Sequence, residues 1–124
     1  MSYISAELRS LVIERAKGYC EYCRVHQDDG YLVHEIDHVV SEKHRGITSA
    51  DNLCLSCFEC NRYKGSDIGS IDLETDSFTA LFNPRTMSWD DHFELDSVNI
   101  KPLTPEGRVT VFLLRLNNDS RITR

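Results

Sequence analysis

The chain has 124 residues, 40% of them apolar, which suits one globular core and not a disordered chain. Its longest apolar runs, such as Val109–Leu114, fall far short of the roughly 20 residues that span a bilayer. Twenty acidic side chains against fourteen basic ones leave a net charge of −6, a poor balance for a general nucleic-acid binder. The charge is uneven. Residues 66–100 hold eight acids and one base, whereas residues 101–124 hold five bases and two acids, so a polyanion has to avoid the middle segment.

Residues 5–17 are expected to form a helix, with Ser5 as N-cap, Leu8, Leu11 and Val12 on one face, and Gly18 ending it. A first cysteine pair, Cys20-Glu21-Tyr22-Cys23, follows on a tight turn. After the turn signal Asp28-Asp29-Gly30, a strand is expected from Tyr31-Leu32-Val33 through Ile36, Val39 and Val40. Residues 41–51 are polar and read as a loop. A second pair, Cys57-Phe58-Glu59-Cys60, opens a short helix through Asn61, Arg62 and Lys64 that stops at Gly65. From 66 to 100 the pattern is weak and turn-rich, with Phe78, Leu81, Phe82, Trp89 and Phe93 as scattered anchors. Thr104-Pro105-Glu106 then starts a helix that presents Val109, Phe112, Leu113 and Leu116 to the core; a strand over Val109–Leu113 is the lesser alternative.

The first residues lack the basic-then-apolar pattern of a signal peptide, so a cytoplasmic location is expected. In a reducing compartment, paired cysteines are metal ligands more often than disulfides. Two Cys-x-x-Cys pairs match a structural tetrahedral Zn²⁺ site held by Cys20, Cys23, Cys57 and Cys60. With four thiolates such an ion has no open position, so it supports the fold and does no chemistry. Cys54, between Leu53 and Leu55, falls outside the spacing and is expected to be a buried core thiol.

His34-Glu35-Ile36-Asp37-His38 is literally H-E-x-x-H, but the zinc-protease signature needs a helix, and this context is β-rich. A zinc deaminase needs His-x-Glu and Pro-Cys-x-x-Cys; here Glu35 directly follows His34 and Ser56 stands where the proline belongs. Taken together, Cys-x-x-Cys, Ile36-Asp37-His38-Val39-Val40, Asp51-Asn52-Leu53 and Cys57-x-x-Cys60-Asn61-x-x-Lys64-Gly65 resemble the HNH endonuclease family. Its ββα-metal motif sits between zinc-binding cysteine pairs in many members. The likeness covers residues 20–65, and the stretches 81–85 and 103–108 look like the tail of small bacterial HNH proteins.

The resemblance implies an α+β fold in a single domain over 1–124, with the core motif at 20–65, a C-terminal extension at 66–124 and flanking helices. It implies phosphodiester hydrolysis, with His38 as general base and Asn52 pinning the loop that orients it. Histidine titrates near neutrality, which suits His38 to that part, and Asp37 and Asn61 would hold a catalytic Mg²⁺ or Mn²⁺, since hard oxygens suit these ions. Arg62, Lys64 and Arg45, with Lys43 and His44, are candidate phosphate contacts. His34 could line the site, and Glu35 could be an extra ligand. The expected partner is nucleic acid, DNA foremost, with no membrane; one constellation per chain should nick one strand, and double-strand cleavage would need a homodimer or two events. The alternative is a non-catalytic zinc module that binds protein or nucleic acid, which the acidic composition favours.

Overall fold

The computed structural model describes residues 3–30, 32–118 and 121. Helix α1 spans Ala6–Ala16, and the Ser5 hydroxyl accepts from the Leu8 amide at its start. Strands β1 (Glu35–His38) and β2 (Leu53–Ser56) pair antiparallel, with His38 opposite Leu53 and Asp37 opposite Cys54. Helix α2 (Phe58–Lys64) follows β2 at once and stops at Gly65, whose φ of +52° suits a residue without Cβ. Two further antiparallel hairpins follow, β3 (Gly69–Asp72) with β4 (Ser77–Ala80) and β5 (Phe93–Asp96) with β6 (Asn99–Pro102). A one-turn helix, α3 (Trp89–His92), lies between them, and α4 (Pro105–Leu113) ends the ordered elements with Thr104 as its cap. The fold is α+β, built from small two-stranded sheets.

The β1–β2 hairpin is packed on both faces, as alternation along the strands requires. On one face Leu53 and Leu55 are fully buried with Val12 of α1, and Ile36 and Leu8 pack against them. On the other face Cys54 joins a larger core that holds the two cysteine pairs, Phe82, Trp89, Phe93, Ile100, Val109, Leu114 and Leu116. The C-terminal half therefore packs over the cysteine turns rather than trailing from them. The Trp89 indole donates to the Tyr22 carbonyl at 2.8 Å, and the Arg24 guanidinium lies 5.0 Å above the same ring.

Several expectations need correction. The first strand begins at Glu35; Leu32 and Val33 precede it and are exposed, and Tyr31 lies outside the described residues. The apolar faces of two helices are rotated from their predicted positions, leaving Leu11 and Phe112 exposed while Val12, Val109 and Thr110 are buried. Residues 105–113 are helical, so the strand alternative there is set aside. Among the scattered anchors, Leu81, Phe82, Trp89 and Phe93 are buried, but Phe78 faces solvent.

Candidate active site and cysteine cluster

Each cysteine pair is a tight turn whose own backbone points at sulfur. The Cys23 amide donates to Cys20 Sγ at 3.4 Å, and the Cys60 amide to Cys57 Sγ at 3.3 Å, which makes Cys57 the N-cap of α2. All four ligand atoms lie within 4.8 Å of one another. An ion about 2.3 Å from each of four sulfurs spaces them roughly 3.8 Å apart, and Cys23 Sγ and Cys57 Sγ are 3.7 Å apart. That spacing fits a shared ion and is far too long for a disulfide, and all five cysteines are free. The cluster suggests a zinc site. Arg121, itself buried, donates to Cys60 Sγ at 3.0 Å and to the Leu114 carbonyl at 2.9 Å, placing a cation against the sulfurs. Nothing in the cysteine spacing announces a partner so far along the chain. Cys54 is separate: it is fully buried, its Sγ lies 3.7 Å from the Tyr22 hydroxyl, and burial pushes its thiol up to about 12.

At the other end of α2 the chemistry changes from sulfur to oxygen and nitrogen. Glu35 and Asp37 share the face of β1 that meets α2. The Asn61 amide donates to Glu35 Oε1 at 3.0 Å. The Lys64 ammonium lies 2.9 Å from Asp37 Oδ2 and donates to the His38 carbonyl at 2.9 Å. Burial pushes the Asp37 carboxyl up from its ordinary range, while the Lys64 ammonium and the nearby His38 oppose that rise. Lys64 is 1% exposed, so its charge is directed inward to Asp37 and not to solvent as the sequence suggested. Arg62, on the opposite side of the helix, is exposed, as are Lys43, His44 and Arg45 in the loop after β1.

His38, the last residue of β1, turns its imidazole toward that loop, where Nε2 lies 2.9 Å from Thr48 Oγ1. The loop is fastened by Asn52. Its Nδ2 donates to the carbonyls of Val40 and Ile47 and its Oδ1 accepts from the Val40 amide, each at 2.9 Å. The Asn52 carbonyl also accepts from the Val39 amide at 2.8 Å. Gly46 allows this closeness, because a Cβ there would sit 1.7 Å from the Val40 carbonyl oxygen. From α1, Arg15 donates to the carbonyls of Ala50 and Leu53 at 2.9 and 2.7 Å, holding the loop where it re-enters the sheet. Glu21 bonds the Leu55 amide at 2.8 Å and pairs with Arg85, tying the first cysteine turn to β2.

His34 stands apart from this group. It is buried, with Nε2 at 2.9 Å from the Val25 carbonyl, beside the second cysteine turn. Sequence reasoning missed Thr48, Arg15, Glu21 and Arg121. Only a polar residue in the loop after β1 hinted at the first, and the others act across the fold.

The arrangement gives an imidazole at a strand end, bonded to a fastened loop and next in the chain to a carboxylate that faces α2. No curated protein matches the chain. Residues 20–67, the stretch that builds both cysteine turns, the β1–β2 hairpin and α2, match the family model described as HNH endonuclease.

Proposed function

We propose that the protein is a metal-dependent HNH endonuclease that nicks DNA, with His38 as general base. The observation that supports this reading is the match of residues 20–67 to the HNH endonuclease family model, a stretch in which Asp37 and His38 end β1, Asn52 fastens the loop after it and Asn61 lies on α2. Asp37 and Asn61, on facing elements, would hold a hard divalent cation such as Mg²⁺ or Mn²⁺ through their oxygens, with the Lys64 ammonium against Asp37 Oδ2 as the competing partner. When bound, that cation supplies charge neutralisation at the scissile phosphate and the leaving oxygen. His38 takes a proton from water, and the water oxygen bonds to phosphorus as the P–O bond to the 3′ oxygen breaks. Asn52 keeps the loop beside His38 closed while this happens. Arg45 and Arg62, both exposed, are the side chains proposed to meet the phosphate backbone. Zn²⁺ on Cys20, Cys23, Cys57 and Cys60 has a purely structural part in this scheme. One site per chain nicks, and paired cuts need a second copy or a second event.

A second reading is a non-catalytic zinc module. Two observations favour it: the net charge of −6, and the fact that the cysteine cluster is the one group of metal-type ligands among the described residues. No helix among the described residues is long and apolar enough to cross a membrane.

A plasmid-nicking assay with Mg²⁺ and with Mn²⁺ separates the two. Wild type is expected to nick, and His38→Ala to lose about 10²–10⁴ in rate with its zinc content unchanged. Equal activity in both proteins would mean contamination and would leave the module reading standing.

A further inference from the structure

We infer that Thr48 is the positioning residue for His38, holding its imidazole by one nitrogen so that the other is free to accept a proton from water. The inference rests on the nuclease reading and adds to it a residue that the motif does not name. The contact is direct, Nε2 to Oγ1 at 2.9 Å across ten residues of chain. Both ends of it are fixed. His38 is anchored through its backbone, since its carbonyl accepts from the buried Lys64. Thr48 follows Ile47, whose carbonyl is bonded by Asn52, and Gly46 lets that segment lie against Val40. Threonine is β-branched and stiff at χ1, so a fixed backbone also aims its hydroxyl.

The chemistry gives this contact its consequence. A neutral imidazole carries one N–H, and its partners decide which nitrogen keeps the lone pair; a hydroxyl can take either part, and in this scheme the Thr48 hydroxyl accepts. With Nε2–H donating to Thr48 Oγ1, Nδ1 is the bare nitrogen. The water proton then goes to Nδ1, giving a transient imidazolium that returns the proton to solvent after the P–O bond has broken. If the hydroxyl instead donated to Nε2, Nδ1 would carry the hydrogen and could not act. Asn52 thus works on His38 through Thr48, by fixing where the hydroxyl stands.

Thr48→Val removes the hydroxyl and keeps the shape, and Thr48→Ser restores it. In the zinc-loaded protein, Thr48→Val should lower kcat roughly tenfold with little change in KM, about what the loss of one orienting hydrogen bond sets. Thr48→Ser should return most of the rate. ¹⁵N imidazole spectra give a readout independent of turnover: wild type and Thr48→Ser show His38 as the Nε2–H tautomer, and Thr48→Val shows a mixture. Suppose wild type nicks, His38→Ala does not, and Thr48→Val keeps both the wild-type kcat and the wild-type tautomer. The Thr48 inference is then overturned while the nuclease reading survives. A wild-type protein that fails to nick overturns both.

Discussion

Helix α2 is seven residues long, yet its two ends do opposite things. At its start, Cys57 and Cys60 join Cys20 and Cys23 in a closed group of sulfurs, each no more than 6% exposed. From its middle to its far end, Asn61 and Lys64 face Glu35 and Asp37 in a group that is polar, charged and only partly covered. Four soft donors with no room for water make an anchor. Hard oxygen donors, by contrast, are the kind that the proposed catalytic cation would use. The difference teaches that one short helix can be held rigid at one end so that the other keeps its register against β1.

The largest effect should come from the sulfur end. Stripping the metal with a strong chelator, or making Cys60→Ser, is expected to abolish cooperative unfolding. Structural zinc contributes about 10 kcal/mol or more, comparable with the whole stability of a small domain. Circular dichroism melts beside zinc analysis check this; a chelated protein with an unchanged melt would break the division of labour between the two ends.

A smaller effect belongs to the other end. Lys64→Met leaves Asp37 with a buried, unpaired carboxylate, at a cost of about 3 kcal/mol. Asp37 keeps 13% side-chain exposure, which holds that cost at the low end of the range for a buried pair. Zinc content should not change, and adding Asp37→Asn should recover part of the loss in denaturant melts. Zinc loss in the single variant would mean that the two ends are not separable.

The smallest effect lies away from both. Arg108 grips Asp72 with Nε and Nη2 at 2.9 and 3.0 Å, linking α4 to β3, and holds that carboxyl well below its usual range. A depressed folded-state pKa means the stabilisation is complete above the unfolded value, about 3.9, and is lost as pH falls further. Wild type should therefore lose its advantage over Asp72→Asn as the pH drops below about 4, followed by urea midpoints. A constant difference between the two across that range would show that the pair does not couple to folding.

The contrast between the ends also explains what was legible. Ligand spacing is a local demand, so the cysteine pairs could be read directly from the chain, whereas Asp37, His38, Asn52 and Asn61 are singled out by family resemblance. The part of Lys64 could not be read, because its burial depends on Asp37, a residue on another element. The β3–β4 and β5–β6 hairpins were hidden for a different reason. They turn through Asp76 and Ser97, at φ +57° and +58°, where glycine would have given a signal. Their outer faces also carry exposed Ile71, Phe78 and Leu95, so no clean alternation shows. The face of α4 is set by Gly107, where a Cβ would lie 2.4 Å from the His92 carbonyl oxygen, and by Thr110, which bonds the Phe82 amide. Hydrophobic periodicity does not record a close approach by small residues, and so it gave Phe112 the wrong side.

The central claim is that two different ions belong to the two ends of α2. Titrating zinc-loaded protein with Mn²⁺, followed by electron paramagnetic resonance and zinc analysis, tests it directly. One Mn²⁺ should bind per chain without displacing zinc, and Asp37→Ala should abolish that binding while keeping the zinc. If no Mn²⁺ binds, or if it binds equally well without the Asp37 carboxylate, the claim is wrong.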